Sequence, residues 1–163
     1  MIVRGAYKNG QEQMRIIRYY QSQDKEHWKN EIGKSDWSAA KLLYTLLDKN
    51  ELKKMCGNST EIYLLEDDNK LVSFAVLAEQ DEIDAPELSP WIGFVYTFPE
   101  YRGKHNAGKL IEHICSMTKT ERIYISTEET GLYEKYGFTF WKIMTNREGK
   151  ATRVYVKELT YHL

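Results

Sequence analysis

The residues with the clearest chemical potential are the basic, glycine-bearing turn Pro99-Glu100-Tyr101-Arg102-Gly103-Lys104-His105-Asn106-Ala107-Gly108-Lys109. It follows an apolar run, Trp91-Ile92-Gly93-Phe94-Val95-Tyr96, which is bounded by Ser89-Pro90 and Pro99 as a strand should be. After it, Ala107, Leu110, Ile111, Ile114 and Cys115 recur at the spacing of one helical face. The turn therefore stands at a helix N-terminus. There the first backbone N–H groups lack intrahelical acceptors and the macrodipole is positive, so a phosphate or diphosphate can supply what is missing. Crowding Arg102, Lys104 and Lys109 at that end opposes the dipole, which favours an anionic ligand over a merely solvated loop.

A nucleotide-triphosphate loop is the rival reading, because Gly103 to Lys109 fits G-x-x-x-x-G-K. That motif needs a Ser or Thr hydroxyl next for magnesium, and Leu110 offers none. Six residues also separate this turn from its strand, and the run from Arg122 to Ser126 ends without an aspartate to help hold the metal.

The segment Arg102-Gly103-Lys104-His105-Asn106-Ala107 resembles the pyrophosphate loop of the GNAT superfamily of acyl-CoA-dependent N-acyltransferases, Arg/Gln-x-x-Gly-x-Gly/Ala. About thirty residues on, Leu132-Tyr133-Glu134-Lys135-Tyr136-Gly137-Phe138 is similar to the family's Tyr-Glu-Lys-x-Gly-Phe segment. The resemblance runs from Trp91 to Trp141. It implies one α/β (α+β) domain over residues 1–163, with a mixed, mostly antiparallel twisted sheet flanked by helices, and acetyl transfer from acetyl-CoA to a primary amine. In the family the strand before the loop splays from its neighbour and its backbone binds the pantetheine arm and thioester carbonyl, a role that would fall to Val95, Tyr96 and Thr97. The resemblance assigns the diphosphate to Arg102, Gly103, Lys104, His105, Asn106, Ala107, Gly108 and Lys109. Tyr133 would protonate the departing thiolate. Two departures stand out: His105 replaces the usual glycine, whose freedom at positive φ a Cβ restricts, and no asparagine lies between Ser126 and Tyr133.

Acetyl transfer also needs a group to take a proton from the acceptor ammonium. Glu79, Glu82, Asp84 and Glu87 follow one strand, and Glu128 and Glu129 lie beside the Tyr133 segment. Nothing in their spacing selects one. An acceptor pocket across the splayed strands, under the N-terminal helices and the loop from Gln80 to Pro90, would take Trp91 and Tyr96 as an apolar wall and Glu79 as the attraction for an ammonium. Trp91 is as readily a core anchor. Trp28 and Trp37 are packing or lid residues. His27, His113 and His162 form no triad, and no metal set is expected. The acceptor would be a small-molecule amine; alternatives are a protein N-terminus or lysine, and a regulatory module that binds acyl-CoA without turnover. A homodimer is a family-level expectation.

The remainder agrees with a single enzyme domain. The chain has 163 residues, 42% hydrophobic and 29% charged, with ten glycines and three prolines, so it can bury one core and is not a disordered sequence. A formal charge of −1 argues against general nucleic-acid binding. No apolar run approaches the ~20 residues of a membrane helix, and the polar start is unlike a signal peptide, so a cytoplasmic location is expected. Cys56 and Cys115 suggest no disulfide framework.

Periodicity and turn residues supply the other elements. A strand is expected within Met1 to Tyr7, then, after Asn9-Gly10, a helical segment holding Met14, Ile17 and Tyr20. A helix striped by Ala39, Leu42, Leu43, Leu46 and Leu47, capped by Asp36 or Ser38, precedes Gly57-Asn58-Ser59. Glu61 to Leu65 and Leu71 to Ala78 form a hairpin, Ile123 to Ile125 a strand, and Phe138 to Thr145 with Thr152 to Leu159 a last hairpin.

Overall fold

The computed structural model describes residues 3–4 and 14–160. The rest of the first expected strand, the Asn9-Gly10 punctuation and His162 lie outside the described residues. In chain order the elements are β1 (Val3–Arg4), β2 (Met14–Arg18), α1 (Lys25–Gly33), α2 (Ser38–Asp48), α3 (Leu52–Cys56), β3 (Glu61–Asp67), β4 (Lys70–Ala78), β5 (Trp91–Thr97), α4 (Asn106–Met117), β6 (Arg122–Thr127), β7 (Thr139–Thr145) and β8 (Ala151–Glu158). The strands make one sheet in the order β1-β2-β3-β4-β5-β6-β8-β7. Every neighbouring pair is antiparallel except β5 with β6. That parallel contact follows from the crossover through α4 that joins these two adjacent strands.

Both sheet faces are covered, which is why the central strands are apolar at successive positions rather than alternately. On one face Leu110, Ile111 and Ile114 of α4 pack with Tyr63, Leu65, Val72, Ala75, Ile92, Ile123 and Ile125. On the other, Trp28 and Ile32 of α1 and Ala40, Leu43 and Leu46 of α2 pack with Ile62, Leu64, Phe74 and Val76. A third cluster joins Ile83, Ala85 and Leu88, from the connection between β4 and β5, to Trp91, Tyr124 and Val154. Adjacent strand residues thus serve opposite layers, as the two-residue period requires.

Three sequence expectations are corrected. The segment with Met14 and Ile17 is strand β2, not helix: Met14 and Ile16 are buried while Arg15 pairs with Glu66, an alternation of period 2, and Tyr19–Gln21 adds one 3-10 turn. The buried face of α2 is centred on Ala40, Leu43 and Leu46, leaving Leu42 47% exposed. Neither Asp36 nor Ser38 caps that helix; Trp37 is the N-cap, and its N–H donates to Ser35 Oγ at 3.0 Å. The β3–β4 hairpin turns through Asp68 and Asn69, both at positive φ (48° and 65°), the arrangement whose twist suits a two-residue connection.

Candidate active site

The parallel register of β5 with β6 consists of Trp91↔Tyr124 and Ile92↔Ile125. Beyond Ile92 the two strands part. On its other side β5 stays paired with β4, but the register slips between Phe74↔Tyr96 and Val76↔Gly93, so that two residues, Phe94 and Val95, face Ala75. Phe94 takes φ +50° in this bulge. A bulge adds local twist and re-aims the strand. The result is a wedge between β5 and β6 whose β5 wall is the backbone of residues 93–97. Ser73 secures that wall from behind, its hydroxyl donating to Tyr96 O at 2.7 Å and lying 2.9 Å from Thr97 Oγ1.

The open end of the wedge runs into the basic turn. Pro99–Tyr101 forms a 3-10 turn, and Gly103 then takes φ +76°. His105, the N-cap of α4, adopts the left-handed conformation (φ 64°, ψ 26°). The position usually held by glycine therefore keeps a glycine-like backbone, at a cost of about 1 kcal/mol for the Cβ. The His105 ring lies back along α4, 5.4 Å from the Tyr136 ring and with Nε2 3.3 Å from Glu112 Oε1. Gly108 makes room for it: a methyl there would lie 2.4 Å from His105 Cε1 and 2.6 Å from Tyr136 Cε1.

Internal bonds fix the shape of the turn. Arg102 Nε donates to Thr97 O at 2.9 Å, and its guanidinium sits 5.3 Å from the centre of the Tyr96 ring. Asn106 is 2% exposed; its Nδ2 donates to Tyr101 O at 2.8 Å and its Oδ1 accepts from Lys109 Nζ at 3.3 Å. The Asn106 side chain is thus engaged within the protein, leaving its backbone for a ligand. The first N–H groups of α4 have no intrahelical acceptor and point the way the dipole is positive.

Tyr133 begins the 3-10 turn Tyr133–Tyr136, which stops at Gly137 with φ 89°. Its ring is buried on the α4 side of the sheet, edge-on to Phe138 at 6.3 Å. Burial, with smaller contributions from the Glu129 charge and Tyr136, pushes its phenol above the ordinary value. The hydroxyl stays protonated throughout the physiological range.

A wedge at the end of one parallel contact, a basic turn on a helix N-terminus, and a tyrosine behind it occupy one continuous stretch of chain, and the acetyltransferase (GNAT) domain family matches residues 58–140, just over half the chain and including all three. This chain belongs to the GNAT acetyltransferase family. It is an acyltransferase. Its fold is also that of solved GNAT structures. A GNAT-family protein from Desulfovibrio desulfuricans is 14% identical, with 90% of this chain and 99% of that one covered and a TM-score of 0.64. A GNAT family acetyltransferase from Elizabethkingia anophelis, solved with acetyl-CoA bound, is 17% identical over 90% of this chain and 98% of its own, with a TM-score of 0.62. An aminoglycoside 6'-acetyltransferase type Ii is 14% identical over 91% and 99%, also at 0.62. No curated protein sequence matches the chain.

On the sheet face away from α4, the two residues expected to line an acceptor pocket, Trp91 and Glu79, are both engaged within the protein. Trp91 is fully buried, donates from Nε1 to Leu88 O at 2.7 Å and packs 5.3 Å from Tyr124. Its side chain anchors the core, enclosed with Ile83, Leu88 and Val154. Glu79 is tied to the turn after α3: its Oε1 accepts the Ser59 N–H at 2.6 Å, and bonds from the Ser59 hydroxyl and then its N–H hold the carboxyl below the ordinary range. That role explains Gly57, whose φ of 107° and contact with Glu79 leave no space for a side chain; an added methyl would lie 2.6 Å from Glu79 Cβ. Gly57→Ala is expected to lower stability by about 2–4 kcal/mol, from backbone strain plus overpacking, measured by the urea midpoint.

Of the other expected carboxylates, Glu82 accepts from Ser126 Oγ at 2.6 Å, and Asp84, Glu87, Glu128 and Glu129 are exposed. Sequence reading passed over Asp81. Its Oδ1 lies 3.3 Å from where a Cβ on Gly93 would be, which sets the carboxyl against β5 at the mouth of the wedge. Five acidic residues between 79 and 87 carry no distinguishing spacing; contact with Gly93 singles this one out.

Trp28 is buried packing, whereas Trp37 stacks on Tyr96 with centroids 5.5 Å apart and planes 10° from parallel. Beside this stack a cleft of about 320 Å³ is lined by Lys34, Asp36, Lys70, Phe98, Glu100 and Tyr101 among others. Among the described residues no helix is long and apolar enough to cross a membrane, and no group of three or more His, Cys, Asp or Glu could hold a metal ion.

Proposed function

We propose that this acyltransferase moves the acetyl group of acetyl-CoA directly to a primary amine of a small molecule, as a single catalytic domain spanning residues 1–163 and acting in the cytoplasm. The observation that carries the reading is the junction of the β5–β6 wedge with the N-terminus of α4. In it, backbone groups of Val95, Tyr96 and Thr97 receive the pantetheine arm and polarise the thioester carbonyl, an interaction that strengthens as charge develops on oxygen. Backbone N–H groups from Gly103 through Gly108, including those of His105, Asn106 and Ala107, receive the diphosphate, with Arg102, Lys104 and Lys109 adding positive charge. When bound, acetyl-CoA supplies an already activated acyl group. The protein has to position it, stabilise the oxygen and manage protons.

Direct transfer is supported by the state of the thiols. Both cysteines are free, and burial raises both, Cys56 to about 11, so neither presents a thiolate that could carry the acetyl group. A small acceptor is supported by the scale of the cleft beside Tyr96, at the lower end for small-molecule sites, and by a fold neighbour named for an aminoglycoside. A homodimer belongs to the same proposal; exposed Phe140, Trp141 and Ile143 on the edge strand β7 give it an apolar surface.

Calorimetric titration with acetyl-CoA, beside ATP with magnesium, followed by an amine panel scored for CoA release, tests the reading. Binding of acetyl-CoA with amine-dependent CoA release is the expected result. Binding of ATP alone, or binding of acetyl-CoA with no amine turned over, overturns it.

A further inference from the structure

Resting on that transfer reading, we infer that Asp81 is the catalytic base, taking the proton from the acceptor ammonium at the mouth of the β5–β6 wedge. The geometry has three parts. Ile92 is the last β5 residue paired to β6, so Gly93 is the first residue of the open wedge. Asp81 Oδ1 rests over that glycine, 3.3 Å from the Cβ position that any other residue would fill. Gly93 takes no left-handed backbone angle, so what its missing side chain provides is room. Finally, Gly93 follows Ile92, which packs on the α4 face, and Asp81 stands over the opposite face, whereas Tyr133 is buried with α4. The strand gap thus has a carboxyl on one side and a phenol on the other. An amine entering from the Asp81 side meets the thioester between them.

The surroundings suit a base. Burial, aided by the neighbouring Glu82 charge and partly offset by a bond from the Glu82 N–H, lifts the Asp81 carboxyl to about 7. A base of that strength lies near the working pH, where general-base catalysis is most effective. The other charged and titratable groups around it are accounted for. On its own connection Glu79 is bound to Ser59, and Glu82 accepts from Ser126 Oγ. From α3 the Cys56 thiol, within electrostatic reach of both Asp81 and Arg147, stays protonated. From the β7–β8 turn Arg147 directs its N–H to Glu82 O at 2.8 Å and its guanidinium to Gln80 Oε1 at 3.4 Å.

The protons balance. Asp81 as carboxylate accepts one proton from R–NH3+, giving R–NH2. The nitrogen lone pair forms the C–N bond, the C–S bond breaks with its electron pair on sulfur, and Tyr133 protonates that sulfur. The second nitrogen proton returns through solvent to the Tyr133 oxygen, and Asp81 releases its proton to water. One proton is liberated per acetyl group transferred.

The test compares wild type, Asp81→Asn and Glu82→Gln on the best amine of the panel, with acetyl-CoA affinity measured by calorimetry on each. In Asp81→Asn, acetyl-CoA affinity is expected to be unchanged, while kcat/KM at pH 7 falls about 100-fold or more. The deficit should shrink as pH rises toward the ammonium pKa of about 10, because solution then supplies free amine. The wild-type limb near pH 7 should be absent from the variant. An Asp81→Asn enzyme with wild-type turnover, a deficit equal at every pH, or the same signature in Glu82→Gln instead overturns the assignment while leaving acetyl transfer intact. A wild type that binds acetyl-CoA but turns over no amine removes the transfer reading and this inference with it.

Discussion

Replacing Tyr133 by phenylalanine is expected to lower kcat by about 10²- to 10⁴-fold while leaving acetyl-CoA affinity within about twofold. The change deletes one oxygen and keeps the ring, so the packing against Phe138 and α4 remains. Its effect should therefore appear in the rate and not in stability. The buried phenol is a reluctant acid, raised above its ordinary value. In the proposed transfer it enters protonated and yields its proton only in concert with cleavage of the C–S bond, when the sulfur acquires charge. Acetyl esters or thioesters with more acidic leaving groups should lose less in Tyr133→Phe than acetyl-CoA does, because such leaving groups need no proton. Single-turnover CoA release with a series of acyl donors measures this. Equal rates for the two enzymes would assign Tyr133 to packing.

Trp91→Ala is expected to cost about 3–5 kcal/mol, a large part of the 5–15 kcal/mol that holds a domain together. Trp91 is fully buried and joins three things: the apex of the wedge through its pairing with Tyr124, the connection between β4 and β5 through the bond to Leu88, and the sheet through Val154. Truncation leaves a cavity and a buried carbonyl without its donor. The same connection carries Asp81, so kcat/KM should fall as well. Urea denaturation should show a lower midpoint with a similar slope, since the surface exposed on unfolding changes little. Trp91→Phe, which fills most of the space but lacks the N–H, should recover more than half of the lost stability. A midpoint near that of wild type for Trp91→Ala would mean that the apex is held elsewhere.

What could be read from the chain was local. Gly103 and the cations around it announced a turn at a helix start because left-handed backbone, helix periodicity and the dipole are all properties of a dozen consecutive residues. The hairpin through Asp68 and Asn69 was legible for the same reason. Where reading failed, a long-range partner decided. Met14 and Ile17 suggest a helix by spacing, but β3 offers a free edge, and pairing along it from Arg18↔Tyr63 to Met14↔Asp67 outweighs weak helical propensity.

The site divides along the same line. The glycine-bearing turn at the start of α4, the tyrosine segment after it and most of the strands between residues 61 and 159 were legible in the chain, because these depend on short-range geometry. Packing between distant segments is what encloses Trp91, ties Glu79 to the Gly57 turn, lets His105 hold a left-handed angle with its ring laid over Gly108, and rests Asp81, of five nearby carboxylates, on Gly93. Each of those outcomes depends on which distant residue fills the space beside it and how much water is excluded there. Residue type and spacing do not encode that space; packing of one layer against another creates it.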